Sequence, residues 1–417
     1  MLSLVRRPAS LLLLAALMAL VAVYGIVPAT RAIGSDFSNY YTSATIVAAR
    51  GDIDRLYDDA WFQEQIHRQS PLSLGKFSPF PPATALLLLP LTGLQPLTAL
   101  RVVTGVSVLC GLASILVLAR VLSWSLIDAA LLVLLSGYAV FNTLRNGQPY
   151  IAVSLSCILG YFARLKGRPL WAGICFGLFV PIKYFAAVFL VYFAFRKEWK
   201  VVLGGAIAAL AVSVLGILAM GPRIHAEFLA NVLGNHLIGK LGLQDPFTAS
   251  FQSFDSLFRR LFVFDAAANP QPFLSAPQLQ IVGTALVKAL LLAAAVASLI
   301  KLNRGRPAEA VAPSFGILGI VTMLLAPATA TYHFVLLWLP IGLLVACMLQ
   351  ARAAAWAACI LLCYASIGFF PYRITAAFEG RGGLTVLAYP RLGLLLLIFA
   401  IASAFVWRRE DPPPYPP

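Results

Sequence analysis

Residues 169–195 read PLWAGICFGLFVPIKYFAAVFLVYFAF, a run of 27 residues with a single charge, Lys183, next to a single interior proline, Pro181. About 20 helical residues cross a bilayer core, so this run alone assigns the chain to a membrane. Its length also permits a break at Pro181-Ile182-Lys183 that turns one long span into a hairpin. An ammonium at that depth is costly unless it meets water, a partner or an anion. Lys183 could snorkel along its own stem to a headgroup. The adjacent proline opens the backbone, however, and an anionic lipid phosphate would neutralise the charge, which makes Lys183 a candidate ligand for one.

The same pattern extends on both sides. Further apolar segments cover roughly 9–27, 81–97, 100–119, 124–141, 149–163, 199–219, 279–300, 311–326, 331–349, 353–370 and 391–407. With 60% hydrophobic residues, 11% charged residues and a mean hydropathy of +0.87, the composition excludes a soluble globular enzyme, where about 25% of residues are charged. The expected fold is all-α and integral to the membrane, a multipass bundle of about 12 (11–13) transmembrane helices in one membrane domain over 1–410. The Pro-rich segment DPPPYPP (411–417) is expected to be a disordered tail.

Lys and Arg number 31 against 16 Asp and Glu, a formal charge of +15. Between apolar spans this excess reads as the positive-inside bias, so the lipid bilayer is the expected partner and nucleic acid is not. The stretch after Arg6 and Arg7 reads as a retained first helix rather than a signal peptide, which places both termini in the cytoplasm of an inner-membrane protein. Two long segments, 31–80 and 221–278, are then extracytoplasmic. RKEWK (196–200), KLNRGR (301–306), Arg352 and WRRE (407–410) fall inside, whereas RLKGR (164–168) falls outside and strict alternation leaves Gln148 on the cytoplasmic side. Either 149–163 is short or re-entrant, or 169–195 is a hairpin broken at Pro181. Cys110, Cys157, Cys175, Cys347, Cys359 and Cys363 all lie in apolar runs without a CxxC, as small core hydrophobes and not metal ligands.

The first external segment holds six of the sixteen acids. Tyr40–Ala49 and Asp58–Gln69 read as interfacial amphipathic helices, and FSPFPP (77–82) ends the loop and opens the next span. Asp36, in GSDF (34–37), has two readings. It N-caps the helix starting near Asn39, worth about 1 kcal/mol, or it sits half desolvated at the membrane boundary as a general base. NTLRNGQPY (142–150) gathers Asn142, Arg145, Asn146, Gln148 and Tyr150 in a turn that is either a plain connection or a polar segment dipping into a cavity. His333, in TATYHFVLLW (329–338), is either an interfacial residue or a ligand for a phosphate oxygen. FQSFDSLFRRLF (251–262) has the apolar stripe of an interfacial helix with Gln252 and Ser253 at its start. Lys288 is a weaker analogue of Lys183, and His225 and His236 are weaker still. GxxxxGK[ST], GxGxxG, HExxH and GxSxG are absent, so a nucleotide has no evident seat and a lipid reaching the site from the bilayer is the better substrate.

Taken in order, DFSNYY (36–41), ARGDIDRLYD (49–58), FSPFPP, NGQPY (146–150), GRPLWAGICFGLFVPIK (167–183), FQSFDSL (251–257) and TYHF (331–334) resemble glycosyltransferase family 87, the polyprenyl-phosphate-mannose-dependent mannosyltransferases of GT-C fold. FQS stands here where NQS is commoner in the family. The resemblance implies an inverting transfer of a hexose, with mannose the first expectation, from a polyprenyl-phosphate sugar to a glycan or lipid acceptor on the extracytoplasmic face. It assigns Asp36 as base, Lys183 and His333 to the donor phosphate, and Gln148, Gln252 and Tyr332 to substrate binding; Tyr40 is a further substrate-binding candidate, and no cofactor is expected. Inversion needs one base and no covalent sugar intermediate. Asp54 or Asp58 could instead be that base, or bind acceptor hydroxyls. A secondary transporter is the alternative class, opposed by the lack of repeated halves. A non-catalytic membrane subunit of a glycan assembly system is another, and it would not need Asp36.

Overall fold

The computed structural model describes residues 7–70, 73–237, 245–304, 309–370 and 372–408, so the tail at 411–417 lies outside the described residues. No strand occurs among them, only an isolated bridge between Asp265 and Asn269. Among the described residues six helical stretches are long and apolar enough to cross a membrane, or seven when the bent pair Leu126–Leu134 and Tyr138–Arg145 counts as one span. The protein is a multipass helical membrane protein. It packs as two compact units, residues 1–134 with 140–244, and residues 135–139 with 245–417.

In the first unit, α1 (Arg7–Val21) continues through a π-helical turn, Ala22–Ile26, to Arg31. Helix α2 (Ser35–Ala48) follows at once. It corrects the expectation of an interfacial helix over 40–49, because it is longer and buried on every face: Phe37 through Ala44 are at most 5% exposed. The polar residues that imitate a wet face are satisfied internally. Ser43 Oγ donates to the Tyr40 carbonyl at 3.0 Å, and Asn39 Oδ1 accepts from the Lys76 amide at 2.9 Å. The second helix of this loop, α3 (Asp59–Gln69), matches its expected bounds, with Asp58 Oδ1 accepting the Trp61 amide at 3.1 Å as the cap. Phe62 and Ile66 of α3 pack with Leu56, Phe77 and the α2 residues Ile46 and Val47 in a buried cluster, and each such side chain contributes about 1.5–3 kcal/mol.

The expected span at 81–97 is also corrected. Pro82–Leu87 and Leu89–Leu91 are 3-10 turns, since prolines at 79, 81, 82 and 90 remove the amide donors that a continuous helix requires. The next crossing is therefore α4 (Pro96–Leu122), which starts beside the end of α1: Arg101 Nε and Nη2 donate to the Thr30 carbonyl at 3.1 and 3.0 Å. Removing one crossing reverses the direction of every helix up to residue 165. α5 (Leu126–Leu134) and α6 (Tyr138–Arg145), bent by 73°, return the chain to the Asp36 end. There Gly34 is seated so tightly that an added Cβ would lie 2.7 Å from Asn146 Oδ1 and 2.8 Å from the Arg145 carbonyl. Gln148 thus shares an end with Asp36, contrary to the strict alternation.

Helix α7 (Tyr150–Leu165) leads away again, and at its far end Glu198 accepts from Arg164 Nη2 and from Arg196 Nε, both at 2.8 Å. RLKGR and RKEWK are therefore at one end, which requires the 27-residue run between them to turn back on itself. It does so as α8 (Pro169–Gly177) and α9 (Ala187–Phe195), with Lys183 extended at φ −145°, ψ 100° in the break. α8 lies directly on α10 (Trp199–Met220): a Cβ at Gly173 would strike the Val201 carbonyl, and one at Gly177 the Gly205 carbonyl. Glycines four apart bring the two backbones into contact. Gly177→Val is expected to lower the melting temperature by roughly 5–10 °C, because overpacking against a backbone atom costs about 3 kcal/mol. Fluorescence-detected thermal unfolding in detergent measures this.

In the second unit, α11 (Phe254–Phe262) is the expected amphipathic helix, capped by Ser253 Oγ accepting from the Ser256 amide at 3.3 Å. Asp255 on α11 forms a 2.5 Å ion pair with Lys288 of α12 (Pro277–Arg304), which accounts for that lysine without a ligand. α13 (Val311–Leu325), α14 (Trp338–Gln350), α15 (Ala354–Phe369) and α16 (Pro390–Arg408) complete the unit. The segment 135–139 belongs here: the buried Trp338 donates to Ser136 Oγ at 3.1 Å, and Gly137, at φ +50°, lies against the Gly368 carbonyl, where no side chain fits.

Candidate active site

Asp36 sits in the first turn of α2, where a carboxylate complements the helix dipole. It is not the cap expected of it: the helix begins one residue earlier, and Gly34, without a side chain, holds the N-cap position. The half-buried carboxylate of Asp36 faces two groups from other elements, the Gln148 side-chain amide and the Lys183 ammonium. Gln148 is 0% exposed, and Tyr40 Oη donates to its Oε1 at 2.5 Å. That bond fixes the orientation of the amide and leaves Nε2 for Asp36. Nε2 makes no other hydrogen bond, which leaves the Asp36 carboxylate as the group it serves.

Lys183 arrives from the break between α8 and α9, 9% exposed, inside a cage of aromatic rings. Its Nζ lies 4.2 Å from the centroid of Phe80, 5.0 Å from Tyr150 and 5.4 Å from Tyr40. Ring faces attract a cation by about 2 kcal/mol when desolvated, yet they offer no counter-charge. The cage is held from outside: Tyr57 Oη donates to the Phe80 carbonyl at 2.7 Å, and Phe77 packs on the Tyr57 ring at 5.3 Å. A carboxylate, a carboxamide and a caged ammonium thus converge from residues 36, 148 and 183.

Asp54 and Asp58 lie elsewhere. Asp54 is an exposed partner of Arg223 at 3.0 Å. Asp58 caps α3, and the Arg55 hydrogen bond at 2.8 Å holds its carboxyl below the usual carboxylate range, which makes it a weak base. His225 Nδ1 is 3.0 Å from the Gly221 carbonyl, in the turn of its own helix. Phe80 and Tyr150 were not singled out from sequence as cage residues, although FSPFPP and NGQPY both stood out as motifs.

The second unit holds the other candidates. His333 Nδ1 accepts the Ala330 amide at 3.0 Å, which places the ring proton on Nε2 as a donor. Tyr332 meets the His333 ring edge-on at 4.8 Å. Gln252 is fully committed: Nε2 donates to the Ala249 and Ala388 carbonyls at 2.7 and 3.1 Å, and Oε1 accepts from the Arg391 amide at 3.1 Å. Arg391, buried, spans the Ile367 and Phe370 carbonyls and Thr331 Oγ1, and ties the start of α16 to the segment carrying His333. Among the described residues no group of three His, Cys, Asp or Glu is placed to hold a metal.

No curated protein and no solved structure matches the chain. A family profile does match, over residues 79–328, a range that contains Phe80, Gln148, Tyr150, Lys183 and Gln252 and leaves out Asp36 and His333; its description is Glycosyltransferase family 87.

Proposed function

The chain belongs to glycosyltransferase family 87, and from that premise we propose an inverting hexosyltransferase that takes its sugar, mannose first, from a polyprenyl phosphate and gives it to a glycan or lipid acceptor. The observation that carries this reading is the convergence of Asp36, Gln148 and caged Lys183 at one end of the first unit. In the reaction, Asp36 takes the proton of the acceptor hydroxyl as its oxygen attacks the anomeric carbon. The bond from that carbon to the phosphate oxygen breaks with inversion, and the polyprenyl phosphate departs carrying the electron pair. The ammonium of Lys183 stabilises the charge that grows on the departing phosphate, a role that preorganised cations fill in dry sites. Gln148, oriented by Tyr40, positions Asp36.

The proposed path is a GT-C-type bundle of twelve crossings in the inner membrane, with the Asp36 end extracytoplasmic and both termini cytoplasmic. Supporting it, the loss of 81–97 and the hairpin at Pro181 cancel in the count, and on this path RLKGR joins RKEWK, KLNRGR and Arg352 on the cytoplasmic side, with Arg145 as the one basic residue of the short turn at 142–150 on the other side. In a cysteine-depleted protein, Asn146→Cys is expected to react with an impermeant maleimide in right-side-out vesicles and Lys166→Cys in inverted ones; the opposite pattern reverses the path. The activity is tested by incubating the purified protein with radiolabelled polyprenyl-phosphate-mannose and lipid acceptors. Transfer of label supports the proposal, and absence of transfer to every acceptor favours a non-catalytic subunit.

A further inference from the structure

A second polar site lies in the first unit, and its lining shares no residue with the Lys183 cage or with Asp36 and Gln148. A cavity of about 320 Å³ is lined by Arg31, Asn142, Arg145 and Asn146 together with the apolar Pro28, Ile33 and neighbours. No acid contributes to it. Asn142 and Asn146 are four residues apart, at one side of the end of α6, with Arg145 between them, while Arg31 comes from the last turn of the α1 extension. No hydrogen bond or ion pair engages these four side chains among the described residues. Gly34, also in the lining, packs directly on this turn, where a Cβ would press on Asn146 and the Arg145 carbonyl.

The charge balance favours an anion. Two helices end here, and each carboxyl end brings about half a negative charge. Two guanidiniums outweigh that, and both arginines are exposed enough to meet an incoming group. Guanidinium forks match the oxygens of a phosphate in pairs, and carboxamide N–H groups supply further donors. The volume is at the small end of ligand sites, right for a headgroup and too small for an acyl chain or an oligosaccharide. Pro28 and Ile33 give the cavity an apolar side on which a lipid stem can lie.

We propose that this cavity binds the phosphate headgroup of a lipid, separately from the Asp36 and Lys183 centre. The lipid is either a polyprenyl monophosphate or a bilayer phospholipid, which share the anionic phosphate and differ in the stem. Binding is read without turnover, so its failure and the failure of the proposed glycosyl transfer are distinguishable.

The test uses the full chain in dodecyl maltoside, a phosphate-free detergent, with undecaprenyl monophosphate, phosphatidylglycerol and inorganic phosphate as separate probes followed by native mass spectrometry. The double variant R31Q/R145Q is expected to bind one or both lipids at least tenfold more weakly than wild type, as loss of charge-assisted bonds implies. Arg145→Lys keeps the charge without the fork and is expected to fall between, which guards against a folding defect in the double variant; melting curves check both. A loss confined to undecaprenyl monophosphate assigns the cavity to the polyprenyl carrier, and one confined to phosphatidylglycerol assigns it to a bilayer lipid. Affinities for both lipids within twofold of wild type in a folded double variant overturn the proposal, as does an effect on inorganic phosphate alone.

Discussion

Asp36→Asn is expected to lower kcat for sugar transfer by about a hundred- to ten-thousandfold, the usual worth of a positioned general base. Donor binding is expected to stay within severalfold of wild type. The substitution keeps the shape of the side chain and its place in the first turn of α2, and it leaves the Tyr40–Gln148 bond and the cage around Lys183 untouched. What it removes is the capacity to accept a proton from the acceptor hydroxyl. The predicted signature is a loss in kcat with KM for the donor nearly unchanged. Asp54→Asn and Asp58→Asn serve as the comparison, and both are expected to retain activity within about twofold, in line with surface substitutions. Their carboxylates are exposed and already engaged by Arg223 and Arg55. A kcat in Asp36→Asn close to wild type, with Asp58→Asn inactive, would transfer the role to the loop.

The parts of the site that were legible in the sequence are those that violate a local rule. A lone lysine in a 27-residue apolar run is conspicuous because the bilayer gives it no solvent, and the structure does surround it with other groups. The chain path was less legible. Hydropathy counts apolar side chains and does not see missing amide donors, so 81–97 reads as a span although four prolines between 79 and 90 prevent one. That single error put Gln148 at the wrong end. The exception it created, RLKGR outside, was the visible sign, and the hairpin at Pro181 was one of two ways to resolve it. Helix α2 shows the opposite confusion. Ser38, Thr42 and Ser43 imitate a solvated face, but they are buried, with Ser43 bonded to a backbone carbonyl of its own helix. The Tyr40–Gln148 contact joins residues 108 apart, and no periodicity reports such a pair. Gly173 and Gly177 stand at a four-residue spacing, but which backbone they meet depends on α10, whose place no spacing reports.

Removing both charges of the site separates chemistry from stability. The double variant Asp36→Asn with Lys183→Met is expected to transfer no measurable sugar and yet to melt at or above the wild-type temperature. A buried ammonium loses hydration that rings only partly restore, and no carboxylate closes a salt bridge with Lys183 among the described residues. Replacing buried charges by apolar groups of similar volume is often neutral or stabilising by about 1–4 kcal/mol. Lys183→Met alone leaves the Asp36 carboxylate without its neighbouring cation, so the single variant is expected to be less stable than the double while losing about a hundredfold or more in kcat, the scale of a lost electrostatic stabiliser. Lys183→Arg is not expected to rescue activity, because the planar guanidinium is larger than the ammonium that three rings enclose at 4.2–5.4 Å. If these charges served only to hold α2 against the break between α8 and α9, the double variant would melt well below wild type. If they are kept for the reaction, the protein carries them at a cost in stability, and melting curves of the four proteins in detergent decide between the two.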